Sequence, residues 1–263
     1  GPEVNNGLLI DNDVPVNSSG HFEAQPTPGG NISFAGGGSG VTVQGQTMLA
    51  VNQDFIFDFV NYVDVGSPGA AINLGASTIT QQPTLVAEDV VISRGTFAGA
   101  NATISWTAET SFRDGIAVLF NKLTFDSASA FGPLQYISYL DEDVQGISDD
   151  FLYPAGVPGD ADFRAFTLDG PERFGFSHGG FYFEGSDQTN ATYDGWAADR
   201  YNALEAAIVS AAGTTYSIPG NINQTNLPPF TDPVLGQVYG PADVTTAFAW
   251  TLDPTATTAT VPS

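Results

Sequence analysis

From Ala102 to Phe125 the chain alternates apolar and polar residues, breaks once, and resumes the alternation. Ile104, Trp106 and Ala108 fall on one side, with Thr103, Ser105, Thr107 and Glu109 on the other. After the break at Arg113-Asp114-Gly115, Ile116, Val118 and Phe120 take one side and Ala117, Leu119, Leu123 and Phe125 the other. Successive side chains of a strand point to opposite faces, and Asp-Gly is a tight-turn pair, so this stretch predicts a β-hairpin. A hairpin of this length is stable only when its apolar face is covered by further layers, which confines the chain to a layered β architecture.

The same signal recurs along the sequence. Asp54 to Val65 carries Phe55, Phe57 and Phe59 on one face and Ile56, Val60 and Tyr62 on the other, the mark of a strand buried on both sides. Glu88 to Arg94, Leu134 to Leu140, Arg164 to Leu168 and Arg173 to Glu184 are further strand candidates. In Asp243 to Leu252, Val244, Thr246, Phe248, Trp250 and Leu252 share one side. One segment has helical spacing instead: Trp196, Arg200, Leu204 and Ile208 follow at i, i+4, which predicts an α-helix near 196–210 that caps the core. No period repeats along the chain, which disfavours a solenoid or propeller. The fold class is therefore mainly β, a β-sandwich or jelly-roll-like domain with one α-helix. Residues 1–47, rich in Gly, Asn, Pro and Ser, form a loop-rich segment packed on a main domain of 48–254, and the Thr/Ala/Pro stretch 255–263 reads as a tail or linker.

Composition narrows the setting. Twenty-nine acids against six bases give a net charge of -23, a surface that repels nucleic-acid phosphates and anionic lipid. No run of about eighteen apolar residues exists to insert into a membrane. The chain has no cysteine, so neither disulfides nor thiolates hold it together. A cysteine-free β protein of this kind fits a bacterial extracellular origin, with calcium as the staple. Gly1-Pro2 has the form of a protease scar, which leaves room for a targeting segment upstream.

The acids are unevenly placed. In Leu140 to Asp150 five of eleven side chains are acidic, Asp160 and Asp162 follow, and no basic residue lies between Lys122 and Arg164. Such crowding calls for a cation or full solvation. Asp141, Asp143, Gln145, Gly146 and Ile147 match the first half of the D-x-[DN]-x-[DN]-G calcium loop, with Gln145 in the third ligand slot and Ile147 offering its carbonyl. Leu152 stands where a bidentate Glu would complete an EF-hand, so the expected site is a calcium loop between strands. Its candidate ligands are Asp141, Asp143, Gln145, Ile147, Asp149, Asp150, Asp160 and Asp162, with Asp11 and Asp13 as possible contributors from elsewhere.

Catalytic signals are weak. Gly175-Phe-Ser177-His178-Gly179 fits the G-x-S-x-G pattern, but strand residues follow the serine and no histidine lies downstream, so a glycine-bearing strand is the better reading. Two histidines do not make a zinc site. The single lysine, Lys122, reads as an exposed or salt-bridged strand residue rather than a partner in an isopeptide crosslink. Tyr153, Tyr182, Tyr193 and Trp196 lie near the acidic loops and are the candidate platform for a sugar ring.

An acidic, lysine-poor, cysteine-free chain with Asp-rich loops between strands and a Thr-rich end resembles modules of large secreted bacterial surface adhesins of the repeats-in-toxin type, although their glycine-rich nonapeptide repeat is absent. That resemblance implies an extracellular, cell-surface or secreted module, stabilised by calcium, flanked by other modules and serving adhesion through a glycan or surface-protein ligand. The alternatives are a secreted polysaccharide hydrolase using paired carboxylates and a purely structural spacer; the balance leans away from an enzyme.

Overall fold

The computed structural model describes residues 8–15, 18, 20–33, 56–66, 71–142, 149–158, 160, 163–169, 175–179, 188–209 and 227–263, and the backbone of 39–43 and 46–47. Among these, twenty strands and one α-helix, numbered in chain order, build four antiparallel sheets. The protein is mainly β with a sandwich-like arrangement and one helix, as the alternation predicts.

The central sheet orders β16 (Ala191–Arg200), β19 (Val244–Leu252), β12 (Gln135–Glu142), β6 (Ile56–Asp64) and β3 (Ile32–Ser33), with the short β7 (Ile72–Asn73) also on β6. Its two faces are both covered. One carries Tyr136, Trp196, Phe248 and Trp250 into the largest core, and the other carries Tyr62, Tyr139, Ala247 and Ala249 against Leu204 and Ile208 of the helix α1 (Tyr201–Val209). Aromatic stacking knits the larger core: Tyr136 and Trp250 lie 5.4 Å apart at 21°. A β-bulge at Phe57 sets Asp58 opposite Asp141 and Ile56 opposite Glu142. Being consecutive on β12, Asp141 and Glu142 belong to opposite faces.

The predicted hairpin is the centre of a second sheet: β20 (Thr258–Pro262), β11 (Ile116–Ser127), β10 (Thr103–Arg113), β9 (Val90–Ala98) and β8 (Thr78–Ala87). Ile104, Trp106 and Ala108 point into the core as the pattern requires. Trp106 fits because its cross-strand neighbour is Gly95, where an added Cβ would lie 2.4 Å from the indole ring. Lys122 sits half-buried across from Glu109, while its neighbour Asn121 turns inward to Tyr136's hydrogen-bond partner Asn61. Pro83 lies in the sheet's edge strand, where a missing N–H costs little.

A third sheet orders β15 (Gly175–His178), β14 (Arg164–Asp169), β13 (Asp150–Ala155), β18 (Gly236–Ala242) and β17 (Pro229–Asp232), and it packs Leu152 and Ala165 onto the core. The N-terminal sheet, β1 (Ile10–Asp11), β2 (Phe22–Ala24), β4 (Ser39–Val43) and β5 (Gln46–Thr47), packs Ile10, Phe22 and Ala24 against Phe59, Phe112 and Leu140. No helix among the described residues is long and apolar enough to cross a membrane.

Two expectations need correction. The helix begins at Tyr201: residues 196–200 finish β16, where Trp196 pairs with Phe248. Leu204 and Ile208 keep the predicted inward face, but Trp196 reaches the core from a strand. Residues 255–263 are not a tail, because β20 pairs with Lys122–Asp126 and buries Ala259 and Val261 completely.

Candidate metal centre

The hairpin β13–β14 brings acids together by register. Asp150 opens β13, Asp169 closes β14, and the two stand directly opposite each other. The buried positions of these strands alternate as Asp150, Leu152 on one and Ala165, Thr167, Asp169 on the other, so both carboxylates share the inward face. Asp150 is 0 % exposed and Asp169 5 %. With Asp149 beside them, each of the three offers an oxygen within 4.8 Å of the others. Two oxygens held by one calcium ion at its usual 2.3–2.6 Å stand at most about 5 Å apart, so the spacing fits an ion among them. All-oxygen ligation favours a hard cation over zinc or copper. Gly240, at φ 144°, lets β18 approach: a Cβ there would lie 2.5 Å from the Asp150 carbonyl oxygen.

Glu142 adds a fourth acid, the third that is buried, on the same side of the central sheet. It is 1 % exposed, and neither of its carboxyl oxygens makes a hydrogen bond of normal geometry. Burial raises its pKa well above the usual range, the charge of Asp141 adds to this, and the nearby Thr167 hydroxyl pulls the other way. Thr167 lies on the inward face of β14 together with Asp169, which places Glu142 towards the Asp150–Asp169 pair.

Asp141 belongs elsewhere. On the helix-covered face it neighbours Asp58 across the ladder. Burial, then the charge of Glu205, pushes Asp58 up to about 6. The Tyr62 hydroxyl donates to Glu205 Oε1 at 3.0 Å. Asp141 thus lies on the helix-covered face of the central sheet and is not one of the acids gathered at the Asp150–Asp169 hairpin. Asp160 is exposed in the turn after β13 and is not among the three. Asp143, Gln145, Ile147 and Asp162 lie outside the described residues.

A second acidic group gathers at the hairpin tips. Asp11, Asp13 and Asp89 offer oxygens within 4.8 Å of one another, and Asp114 stands beside Asp13. Asp89 Oδ1 accepts from the Asp11 amide at 2.8 Å, and Asp11 Oδ1 accepts from the Asp13 amide at 2.7 Å. Desolvation first, then Asp114, Asp89 and Asp11, raise the pKa of Asp13.

The aromatic platform does not assemble. Trp196 is 1 % exposed and packs on Phe163 and Phe248, so it offers no face to a sugar. Tyr193 is half-buried against Phe248 and Trp250, Tyr153 lies beside Phe166 on another sheet, and Tyr182 is outside the described residues. The G-x-S-x-G fragment is a strand, as expected. Both ring nitrogens of His178 are engaged, Nε2 with Ser138 Oγ at 2.9 Å and Nδ1 with Thr246 Oγ1 at 3.0 Å. Burial lowers the imidazole to about 3, so it stays neutral, and its nitrogens are engaged by Ser138 and Thr246 rather than by Ser177.

Sequence reasoning missed Asp169, Asp89 and Asp114 as members of acidic groups, and it counted Glu142 in the acidic run without naming it a candidate ligand. Asp89 and Asp114 sit in Glu88-Asp89 and Asp114-Gly115 turns, a readable signal, whereas Asp169 became visible only through the β13–β14 register. No family model, curated protein or solved structure matches this chain.

Proposed function

We propose that this chain is an extracellular, calcium-stabilised β module of a secreted or surface protein, and that the ion sits among Asp149, Asp150 and Asp169. The observation that carries the reading is the placement of Asp150 opposite Asp169, both buried, with Asp149 in reach. Like charges directly opposite in a ladder are destabilising, and burial enlarges the effect, so a divalent ion at this point contributes to folding itself. The acidic, cysteine-free composition and the likeness in style to surface-adhesin modules support the extracellular setting. On this reading the ion ties β13 to β14, and the loops beside them form a rigid rim for a glycan or surface-protein partner, or a stiff junction to a neighbouring module.

The test is a thermal melt in EDTA and in millimolar calcium. An ion at a hundred times its Kd stabilises by about 2.7 kcal/mol, a rise of roughly 5–10 °C for a domain of this size. Asp169→Asn should lose most of that rise, whereas Asp13→Asn, in the second acidic group, should keep it. An unchanged melt in the parent protein overturns the proposal. Release of reducing ends from polysaccharide would favour the hydrolase instead.

A further inference from the structure

The inward face of the β13–β14 hairpin stays polar for one step beyond its aspartates. Thr167, two residues before Asp169 on the same face of β14, is 0 % exposed, and its hydroxyl oxygen makes no hydrogen bond of normal geometry. Glu142 comes to this hydroxyl from the central sheet, at the end of β12. It is 1 % exposed, and both of its carboxyl oxygens are likewise unsatisfied. Residues two apart on a strand stand about 6.6 Å apart, so the meeting point of Glu142 and Thr167 lies one side-chain step inward from Asp169.

Buried oxygens without donors are costly, and a carboxylate is the costliest of them. A water molecule would supply hydrogen bonds but leave the negative charge uncompensated, whereas a cation answers both needs at once. Thr167 and Glu142 therefore point to an ion by a route independent of the spacing of Asp149, Asp150 and Asp169.

We infer that Glu142 and the Thr167 hydroxyl are inner ligands of the cation held by those three aspartates, and that they make the site prefer calcium to magnesium. The inference rests on the calcium reading and adds to it the residues that choose the ion. Calcium takes about six to eight oxygens in a flexible shell; magnesium demands a tight octahedron, keeps several waters and is bound through one or two carboxylates. The aspartates alone therefore suffice for magnesium. Calcium needs further oxygens, and among the described residues those of Thr167 and Glu142 are the next along the inward face. The Glu142 oxygens lie outside the 4.8 Å span that the aspartates share, so the side chain turns about its torsions to reach the ion.

The test is calorimetric titration of the full chain, stripped with EDTA and then freed of it, with calcium chloride and separately with magnesium chloride at neutral pH. The parent protein should bind one calcium ion and bind magnesium at least about tenfold more weakly. Glu142→Gln should lower calcium affinity by about tenfold to a hundredfold and leave magnesium within about threefold, so that the preference collapses. Thr167→Val, which removes the hydroxyl and keeps the shape, should move calcium in the same direction by less. Asp169→Asn should weaken both ions. Each variant is checked for folding by its melt. Calcium affinity unchanged in Glu142→Gln, or calcium and magnesium weakened by the same factor, overturns the inference and leaves the three-aspartate site standing. A parent protein that binds no calcium overturns both together.

Discussion

Glu142 shows how one side chain can set the behaviour of a fold. Its carboxyl is enclosed at the end of β12, and its pKa is raised chiefly by burial. A raised folded-state pKa means that the group favours the native state fully only below the ordinary carboxylate range. As pH rises above about 4.3 the unfolded chain ionises first and the folded state loses ground. Glu142→Gln removes the charge and keeps the shape. In EDTA at pH 8 the variant should therefore melt several degrees above the parent, with roughly 2–4 °C for each kcal/mol, and the gap should close by pH 4.5. A gap that is unchanged with pH, or a variant that melts lower at pH 8, would rule out this account. The sequence displays Glu142 within an acidic run, but its burial comes from packing around the end of β12, which no local pattern announces.

At the scale of elements, what was legible and what was not divides along one physical line. Alternation found β10, because a strand with one buried face writes its period into the sequence, and the large apolar residues Val244, Phe248, Trp250 and Leu252 marked β19, which lines the main core with them although both of its faces are buried. The helix was legible through Leu204 and Ile208, but its start was not, because Trp196 and Arg200 fit the helical spacing by coincidence while the chain there was still pairing with β19. The pairing of Asp150 with Asp169 was illegible for a related reason: a linear motif gathers acids on one loop, whereas these two meet through strand pairing across nineteen residues of sequence. Residues 255–263 looked like a linker by composition alone. In the fold, β20 closes one edge of the hairpin sheet, and Val261, fully buried, sits opposite Leu123. Val261→Asp should thus cost about 3 kcal/mol or more in urea unfolding, while Thr258→Asn, exposed on the same strand, should stay within about 0.5 kcal/mol. Two neutral outcomes would restore the linker reading.

For the molecule as a whole, 29 acids against six bases make self-repulsion a term in stability at neutral pH. Several carboxyls sharpen it. Asp58 is pushed up to about 6, first by burial and then by Glu205, and Asp13 and Asp243 are raised with burial as their leading cause. The sign is the same for each, since a raised carboxyl contributes fully below its ordinary value near 3.8 and its contribution is lost as pH climbs through the folded value. Without divalent ions the melt midpoint should therefore rise as pH falls from 7.5 to 5, the opposite of a protein held by ionised salt bridges. Two additions separate the sources of this slope. Sodium chloride at 0.3 M shortens the screening length and should raise the midpoint at pH 7.5 by acting on exposed charges, with little effect on Glu142 inside the core. Calcium should raise it at pH 7.5 on the proposed reading, through the oxygens of Asp149, Asp150 and Asp169, by an amount that added salt does not reproduce. A midpoint that falls steadily with acidification in EDTA would mean that the buried acids are held as ions by partners inside the fold, and the electrostatic design would then need no metal at all.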